Sequence, residues 1–130
     1  FLFDQGDELL VVVESFGFKK GVPIDADFIF DVRCLPNPYW LPELREHSGL
    51  DDSVSNYLSE QSDVQKMIDS ISSFLGEWVD NFKQGARSYL TIGIGCTGGR
   101  HRSVFVAEQV KQELDKLHSQ IIVRHRDLDQ

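Results

Sequence analysis

The chain has 130 residues and a mass of 14.8 kDa, which is enough for one hydrophobic core and too little for two ordinary domains. Hydrophobic residues make up 41% of the sequence, and no apolar run approaches the ~20 residues of a membrane-spanning helix, so the composition excludes a transmembrane protein. Twenty-one acidic residues against thirteen basic residues give a net charge of −8, which disfavours unspecific attraction to nucleic acid.

Most of this acidity lies in one segment of the chain. Between Glu43 and Asp80, nine acidic residues stand against two basic ones. A run of this kind is typical of the solvated face of surface helices, and such a face repels nucleic acid.

The cysteine content indicates the compartment. Cys34 and Cys96 could form at most one disulfide, and the sequence shows no secretory leader. We therefore expect a reducing, cytoplasmic environment. The chain opens on Phe1 rather than Met, so we also expect it to be a piece of a longer protein.

The first third of the chain predicts two strands and an ordered loop. Residues 9–16 (LLVVVESF) are mostly apolar and β-branched, and residues 28–32 (FIFDV) form a second, shorter run of this type. The segment LPNPYWLP at residues 35–42 contains three prolines, which neither a helix nor a central strand tolerates. We therefore predict a loop at the carboxyl end of the second strand.

Helical patterns occupy the middle of the chain. Asp51 or Asp52 is predicted to cap a short helix that carries Val54, Tyr57 and Leu58. Ser62 and Gln65 have the spacing of a capping box. The helix behind them has an apolar residue every three to four positions, and Gly85 ends it. Its apolar residues are Val64, Ile68, Ile71, Leu75, Trp78, Val79 and Phe82.

The last third of the chain repeats the alternation of strand and helix. Residues 88–95 (SYLTIGIG) predict a third strand, an amphipathic helix follows from Val104 to Leu117, and residues 121–123 predict a fourth strand. Strands separated by helices are typical of parallel sheets, because parallel neighbours need long crossovers. We therefore predict a single α/β domain over residues 1–130, with a largely parallel sheet flanked by helices.

The segment from Gly95 to Ser103 (GCTGGRHRS) predicts an anion site between the third strand and a helix. Its glycines let the backbone approach an anion closely, and the helix N-terminus offers unsatisfied N–H groups and a partial positive charge. Arg102 can form a two-pronged contact with phosphate oxygens, Arg100 raises the potential, and the hydroxyls of Thr97 and Ser103 can donate hydrogen bonds.

Two readings of Cys96 remain open. The segment lacks the Gly-Lys-Ser/Thr ending of a nucleotide-binding P-loop, but Cys96, five intervening residues and Arg102-Ser103 have the spacing found in cysteine-dependent phosphatases. In such enzymes the thiolate attacks phosphorus. Those phosphatases usually place His before the cysteine, where this chain has Gly95, so a small residue that fills the strand's end is the simpler interpretation.

The loop behind the second strand offers a further set of polar groups. Asp31 could accept hydrogen bonds from a sugar or an ammonium group, and Asn37 offers both an amide and a carbonyl. The two loops are expected to share one crevice, because ligands of parallel sheets collect at the carboxyl ends of strands. A structural alternative stays open, in which Asp31 pairs with Arg33 and Asn37 braces its proline turn.

Aromatic and histidine residues outside the loops are predicted to be structural. Trp40 and Trp78 are expected in the core. His47 and His118 are expected at the surface, and His101 and His125 lack metal-ligand spacing, so we predict neither a metal site nor a cofactor.

Short basic clusters lie mostly near predicted strand ends, at Lys19-Lys20, Arg33, Arg100-His101-Arg102 and Arg124-His125-Arg126. Folded together, they would form a basic face able to bind RNA phosphates in an otherwise acidic protein. Ordinary surface charge explains them equally well.

Several long motifs together resemble one family, the C-terminal domain of the RapZ/YvcJ family of RNase adapter proteins, long labelled nucleotide-binding. The motifs are SFGFKKGVPIDADFIFDVRCLPNPYW, RSYLTIGIGCTGGRHRS and VRHRDL, between Ser15 and Leu128. The resemblance implies an N-terminal P-loop ATPase-like domain outside this chain, and a C-terminal domain that binds glucosamine-6-phosphate. It also implies small regulatory RNAs and RNase E as partners.

The resemblance also implies site residues. It places Thr97, Gly98, Gly99, His101 and Arg102 at the phosphate, with Asp31, Arg33, Asn37 and Ser88 nearby. At the position that would face the sugar, enterobacterial members have His and this chain has Tyr39. Those members also end in a basic tail, whereas this chain ends in Asp127-Leu128-Asp129-Gln130. The RNA contacts predicted from the residues are Lys19, Lys20, Arg33, Arg100 and Arg102.

Three functions follow as hypotheses from the sequence. The preferred one is a regulatory domain that senses a phosphorylated amino sugar and passes that state to an RNA or protein partner without catalysis. The alternatives are a phosphatase dependent on Cys96 or another sugar-phosphate enzyme, and a structural oligomerisation domain. A homo-oligomer is expected, with no membrane partner.

Overall fold

Four parallel strands form the sheet of the computed structural model, which describes residues 9–85 and 87–128. The strands are β1 (Leu10–Gly17), β2 (Phe28–Asp31), β3 (Tyr89–Cys96) and β4 (Ile121–His125), in the order β2-β3-β1-β4. The helices are α1 (Asp52–Ser59), α2 (Ser62–Gln84) and α3 (Arg102–Leu114). Short 3-10 turns cover Phe18–Lys20 and Pro38–Trp40. The predicted α/β class and parallel sheet are confirmed.

Strand register divides the side chains of the sheet between two faces. Val11 pairs with Leu90 on one side and with Ile121 on the other, so these three side chains point the same way. This face carries the core together with α2 and α3. Its fully buried members include Leu9, Val13, Ile92, Ile94, Ile68, Leu75, Val110 and Leu114.

The two long helices cover different strands of this face. Helix α3 packs against β1, β3 and β4, whereas α2 reaches β2 through aromatic contacts. The Phe28 ring lies edge-on to Phe74 and Phe82, with centroids 5.4 Å and 5.8 Å apart. Edge-to-face pairs of this kind stabilise by about 0.5–1.5 kcal/mol beyond the area they bury.

The segment between β1 and β2 crosses the opposite face of the sheet. The Phe18 ring meets Phe16 edge-on at 4.9 Å, and a side chain at Gly95 would collide with both rings. The absence of a side chain at Gly95 therefore lets the crossover lie directly on β3. Among residues 9–85 and 87–128, this crossover covers the carboxyl half of the face and leaves a groove at the amino half.

The helix starts differ from those predicted. Gln61 occupies the N-cap of α2 without a side-chain capping bond to the helix, and Ser62 lies inside the first turn, so the predicted capping box is wrong. Asp51 does precede α1, but its carboxylate accepts a hydrogen bond from the Ser48 N–H (2.7 Å) instead of from the helix. Helix α3 begins at Arg102, two residues before the predicted start.

Three predictions of burial are also wrong. Trp40 and Trp78 are 73% and 44% exposed, because Pro38 takes the buried position in the loop and Trp78 lies beside the buried stripe that ends at Val79. His118 is buried rather than at the surface, and its Nε2 lies 2.8 Å from the Leu9 carbonyl. No helix among the described residues has the length and apolarity to cross a membrane.

Candidate functional site

A cavity of about 440 Å³ lies at the carboxyl edge of the sheet, between the loops that follow β1, β2 and β3. We call it the edge cavity. It is lined by Lys19, Lys20, Asn37, Tyr39, Arg45, Cys96, Thr97, Gly98, Arg100, His101, Arg102 and Asp127. The crevice that the two loops were expected to share therefore exists.

The loop after β3 approaches the end of β1 very closely. Gly99 has a φ of 78°, and a Cβ there would lie 2.6 Å from the Gly17 nitrogen. The backbones also join through a hydrogen bond from the Lys19 N–H to the Thr97 carbonyl (3.1 Å). Gly98 has open space around its Cβ position, so it presents bare backbone to the edge cavity.

Helix α3 starts at the wall of this cavity. Its N-cap residue, His101, makes no side-chain capping bond, so the N–H groups of the first turn are left without a side-chain cap. These groups and the helix dipole give the wall a partial positive charge, which favours an anion.

Arg102 is buried, with 4% of its surface exposed, and it ties the two loops together. Its Nη1 donates to the carbonyls of Arg33 (2.7 Å) and Leu35 (3.1 Å), and its Nη2 lies 3.4 Å from the Thr97 hydroxyl. Its Nε is buried and has no hydrogen-bond partner among the described residues. The guanidinium thus joins the two loops through Nη1, and its Nε remains a donor without a partner among the described residues.

His101 is the second buried polar residue of the wall, at 7% exposure. Burial lowers the pKa of its imidazole from the usual 6.5, and the charge of Arg100 lowers it further. The ring is therefore neutral at pH 7, and its Nε2 is also buried without a hydrogen-bond partner in the described part of the chain.

The charge of the edge cavity is opposite to that of the whole chain. Among the described residues, five cationic side chains line it, namely Lys19, Lys20, Arg45, Arg100 and Arg102, against one carboxylate, that of Asp127. Asp127 accepts from the Gly17 N–H (2.7 Å) and from Arg126 (2.9 Å). Burial opposes its ionised form, but these hydrogen bonds prevail and lower its pKa from 3.8.

The loop after β2 forms the outer wall of the cavity. The Asn37 carbonyl oxygen accepts from the Tyr39 N–H (3.1 Å), so Asn37 braces the turn as its structural interpretation required. Arg45 donates from Nε to the Tyr39 carbonyl (2.7 Å), and its guanidinium carbon lies 4.8 Å from the centre of the Tyr39 ring. Sequence reasoning missed Arg45, which lies in the acidic segment.

Asp31 and Arg33 pair with each other instead of facing the cavity. Three hydrogen bonds join them, two from the Arg33 guanidinium (3.0 Å and 2.7 Å) and one from its backbone N–H (2.9 Å), and they lower the pKa of Asp31. The Arg33 guanidinium lies 3.9 Å from the centre of the Phe18 ring. Only the main chain of Arg33 takes part in the wall, through the Arg102 bond.

Ser88 is not brought to the cavity. It directly precedes β3, whereas the cavity lies beyond the other end of that strand, roughly 25 Å away for eight residues of extended chain. The expectation that Ser88 lies near the loop is therefore not met by the fold.

Cys96 ends β3 at 2% exposure, and its thiol donates to the Ser103 hydroxyl at 3.1 Å. Ser103 is thus occupied by the thiol inside the fold. In the described residues, no group of three or more His, Cys, Asp or Glu side chains is arranged to hold a metal ion.

The remaining basic clusters are paired with acids. Arg124 bonds to the buried Glu14 (3.1 Å), and Arg126 bonds to Asp127. His125 lies between the Ser15 hydroxyl and Glu108, at 2.7 Å from each. Of the predicted RNA contacts, Lys19, Lys20, Arg100 and Arg102 converge on the edge cavity, and Arg33 does not line it.

Fold and cavity together define a parallel α/β domain with a cationic crevice at the carboxyl edge of its sheet. The chain belongs to the family described as the RapZ C-terminal domain, whose model matches residues 9–129. The resemblance inferred from the motifs is therefore confirmed.

Bacterial relatives carry the name nucleotide-binding protein. Those of Pseudomonas putida strain F1 and Pseudomonas fluorescens strain SBW25 are 59% and 58% identical to the chain over 117 residues. The relative from Pseudomonas syringae pv. tomato is 57% identical over the same length. Each match covers 90% of this chain and 41% of the relative, so the chain spans less than half of these proteins.

Proposed function

We propose that this chain is the sensing domain of a cytoplasmic RNase adapter protein, and that a phosphorylated amino sugar such as glucosamine-6-phosphate occupies the edge cavity. Occupancy is then passed on to an RNA or protein partner, with no chemical step in this domain. Membership of the RapZ C-terminal domain family supports the adapter role.

Two unpaired buried nitrogens, on two residues that line the edge cavity, support the ligand part of the proposal. Arg102 Nε and His101 Nε2 are buried in the wall of one cavity without partners in the described residues. Leaving a buried donor or acceptor unpaired costs about 1–3 kcal/mol, and a bound ligand relieves that cost. A phosphate oxygen suits the Arg102 donor, and a sugar hydroxyl can donate to the neutral His101 ring.

The remaining lining fits the rest of such a ligand. Lys19, Lys20 and Arg100 supply positive charge for a phosphate dianion, and the bare backbone at Gly98 allows close approach. Asn37 and Tyr39 stand at the opposite wall, where polar and aromatic groups select a sugar ring. A volume of about 440 Å³ lies within the range of small-molecule sites.

A structure determined in high phosphate tests the site directly. We expect a tetrahedral anion within hydrogen-bond distance of the backbone from Thr97 to Arg102. An empty cavity at saturating phosphate, or an anion held only by surface lysines, contradicts the proposal.

A phosphatase is the second candidate, because one contact favours it. The Ser103 hydroxyl lies 3.1 Å from the thiol of Cys96, where the partner of a nucleophile would lie, and five residues separate Cys96 from Arg102. Against it, Cys96 is buried, and Arg102 Nη1 is engaged by carbonyls of the other loop.

Hydrolysis of an aryl phosphate distinguishes the two candidates. For a sensing domain we expect no phosphate release, and Cys96→Ser should change ligand affinity by less than about tenfold. Turnover by the wild type that Cys96→Ser abolishes would establish the enzyme instead.

A further inference from the structure

The sheet has one face that the described residues cover only in part. Register places Leu10, Val12 and Thr91 on the face opposite the helices, together with Tyr89 and Ile122. The β1–β2 crossover covers the carboxyl half of this face, through Phe18 on Phe16 and Gly95. At the amino half these five residues lie in an open groove of about 420 Å³, which we call the amino groove.

Apolar side chains are exposed on this side of the molecule. Tyr89 and Ile122 on the strands are 63% and 45% exposed, and Ile29 on β2 is 38% exposed. Val22 and Ile24 of the crossover are 45% and 102% exposed. All-parallel sheets are almost always covered on both faces, and the described residues supply only part of the second layer here.

We propose that the amino groove is the docking surface for the N-terminal part of the same polypeptide. More than half of each relative's length lies outside the match, and the matched family is described as a C-terminal domain. The preceding chain therefore joins at the start of β1, where Leu10 itself lines the groove.

This geometry favours a tethered partner over a second copy. A segment that enters at β1 needs only a short span to reach the groove, and tethering gives it a high effective concentration. Charged side chains line the groove beside its apolar residues. Arg87 pairs with Asp27, and Arg124 is 4.0 Å from Asp25, so the groove has the mixture of apolar and charged groups that is found in interfaces between domains.

Hydroxyl-radical footprinting tests the docking. Tyr89 oxidation is measured in this 130-residue chain and in a full-length protein that carries the domain, with Trp78 on α2 as the internal reference. We expect Tyr89 to react as an exposed ring in the chain alone and to lose most of its reactivity in the full-length protein at every concentration. Equal reactivity in both, or protection in the chain alone that dilution removes, overturns the proposal, the latter in favour of a second copy.

A pair of variants in the full-length protein provides a second readout. Tyr89→Asp should release the N-terminal part, seen as a larger radius of gyration in X-ray scattering. Leu117→Asp is the matched control, because Leu117 is also 63% exposed but lies against Gly76 of α2, on the other face of the sheet. This substitution should leave the radius of gyration unchanged. An unchanged radius for Tyr89→Asp overturns the proposal. Phosphate binding at the edge cavity is unaffected by either outcome, so the two proposals fail separately.

Discussion

Arg102 combines a structural role with its proposed ligand contact. Its Nη1 donates to two carbonyls of the loop after β2. Arg102→Ala therefore removes the proposed donor to the ligand and also leaves these two carbonyls without their hydrogen-bond donor. We expect a loss of about 1.5–3 kcal/mol in ligand affinity, and a lower unfolding temperature in the same variant. Lys20 is exposed and lines the same cavity, so it gives a cleaner probe of ligand binding.

Asp127, which lines the edge cavity, also affects the stability of the fold in acid. Its folded pKa lies below 3.8 because Arg126 and the Gly17 N–H overcome its burial. The stabilisation is therefore present above the unfolded pKa of about 3.9 and is lost as the pH falls through the lower, folded value. Asp127→Asn should lower the unfolding temperature at neutral pH, and the difference from wild type should shrink in acid.

Thermal unfolding across ~pH 7 to ~2.5 measures this difference. Asp80→Asn, an exposed carboxylate on α2, is the control with the same change in charge. A difference that stays constant over the whole range would contradict the role given to Asp127.

At the scale of elements, two adjacent glycines of the loop after β3 have different tasks. Gly99 has a positive φ and meets the backbone of Phe16 and Gly17, whereas Gly98 faces open space. Gly99→Ala should cost about 2 kcal/mol or more in unfolding free energy, because φ strain adds to a backbone collision. Gly98→Ala should stay within about 0.5 kcal/mol. Denaturant unfolding of both variants checks this, and equal losses would contradict the loop geometry.

The sequence predicted the elements best where one periodicity dominates. The apolar runs of β1 and β3 and the 3.6-residue stripe of α2 appear within one or two residues of their predicted places. Prediction failed where a local signal competed with tertiary contacts. Ser62 has the right spacing for a cap, but the chain enters α2 one residue earlier, at Gln61.

The structure brings the residues of the predicted loop to one cavity, but it leaves some of their expected partners elsewhere. Glycines, arginines and a helix start are local features, so residues 97–102 could be found from the sequence. Arg45 gave no signal, because only the folding of the loop after β2 brings it beside Tyr39. Ser88 came from the resemblance alone, and the predicted strand over residues 88–95 already placed it at the end away from the loop.

At the scale of the whole molecule, positive charge is concentrated at one edge of an acidic protein. If Lys19, Lys20, Arg45 and Arg100 each engage one RNA phosphate, affinity should fall by about three orders of magnitude for a tenfold rise in salt. Because these side chains also line the ligand cavity, a saturating sugar phosphate should compete with RNA. Fluorescence titration with a structured RNA measures both effects. Salt-insensitive binding, or unchanged RNA affinity in the presence of ligand, would contradict the shared surface.

Calorimetric titration measures directly whether the edge cavity binds a sugar phosphate. The wild type should bind glucosamine-6-phosphate more tightly than glucose-6-phosphate, and both more tightly than inorganic phosphate. Lys20→Ala should weaken all three by about tenfold, the loss of one charge-assisted hydrogen bond, whereas Lys66→Ala on α2 removes the same charge without effect. No detectable binding of any of the three compounds, or equal losses in the two variants, would contradict a phosphate-sensing edge cavity.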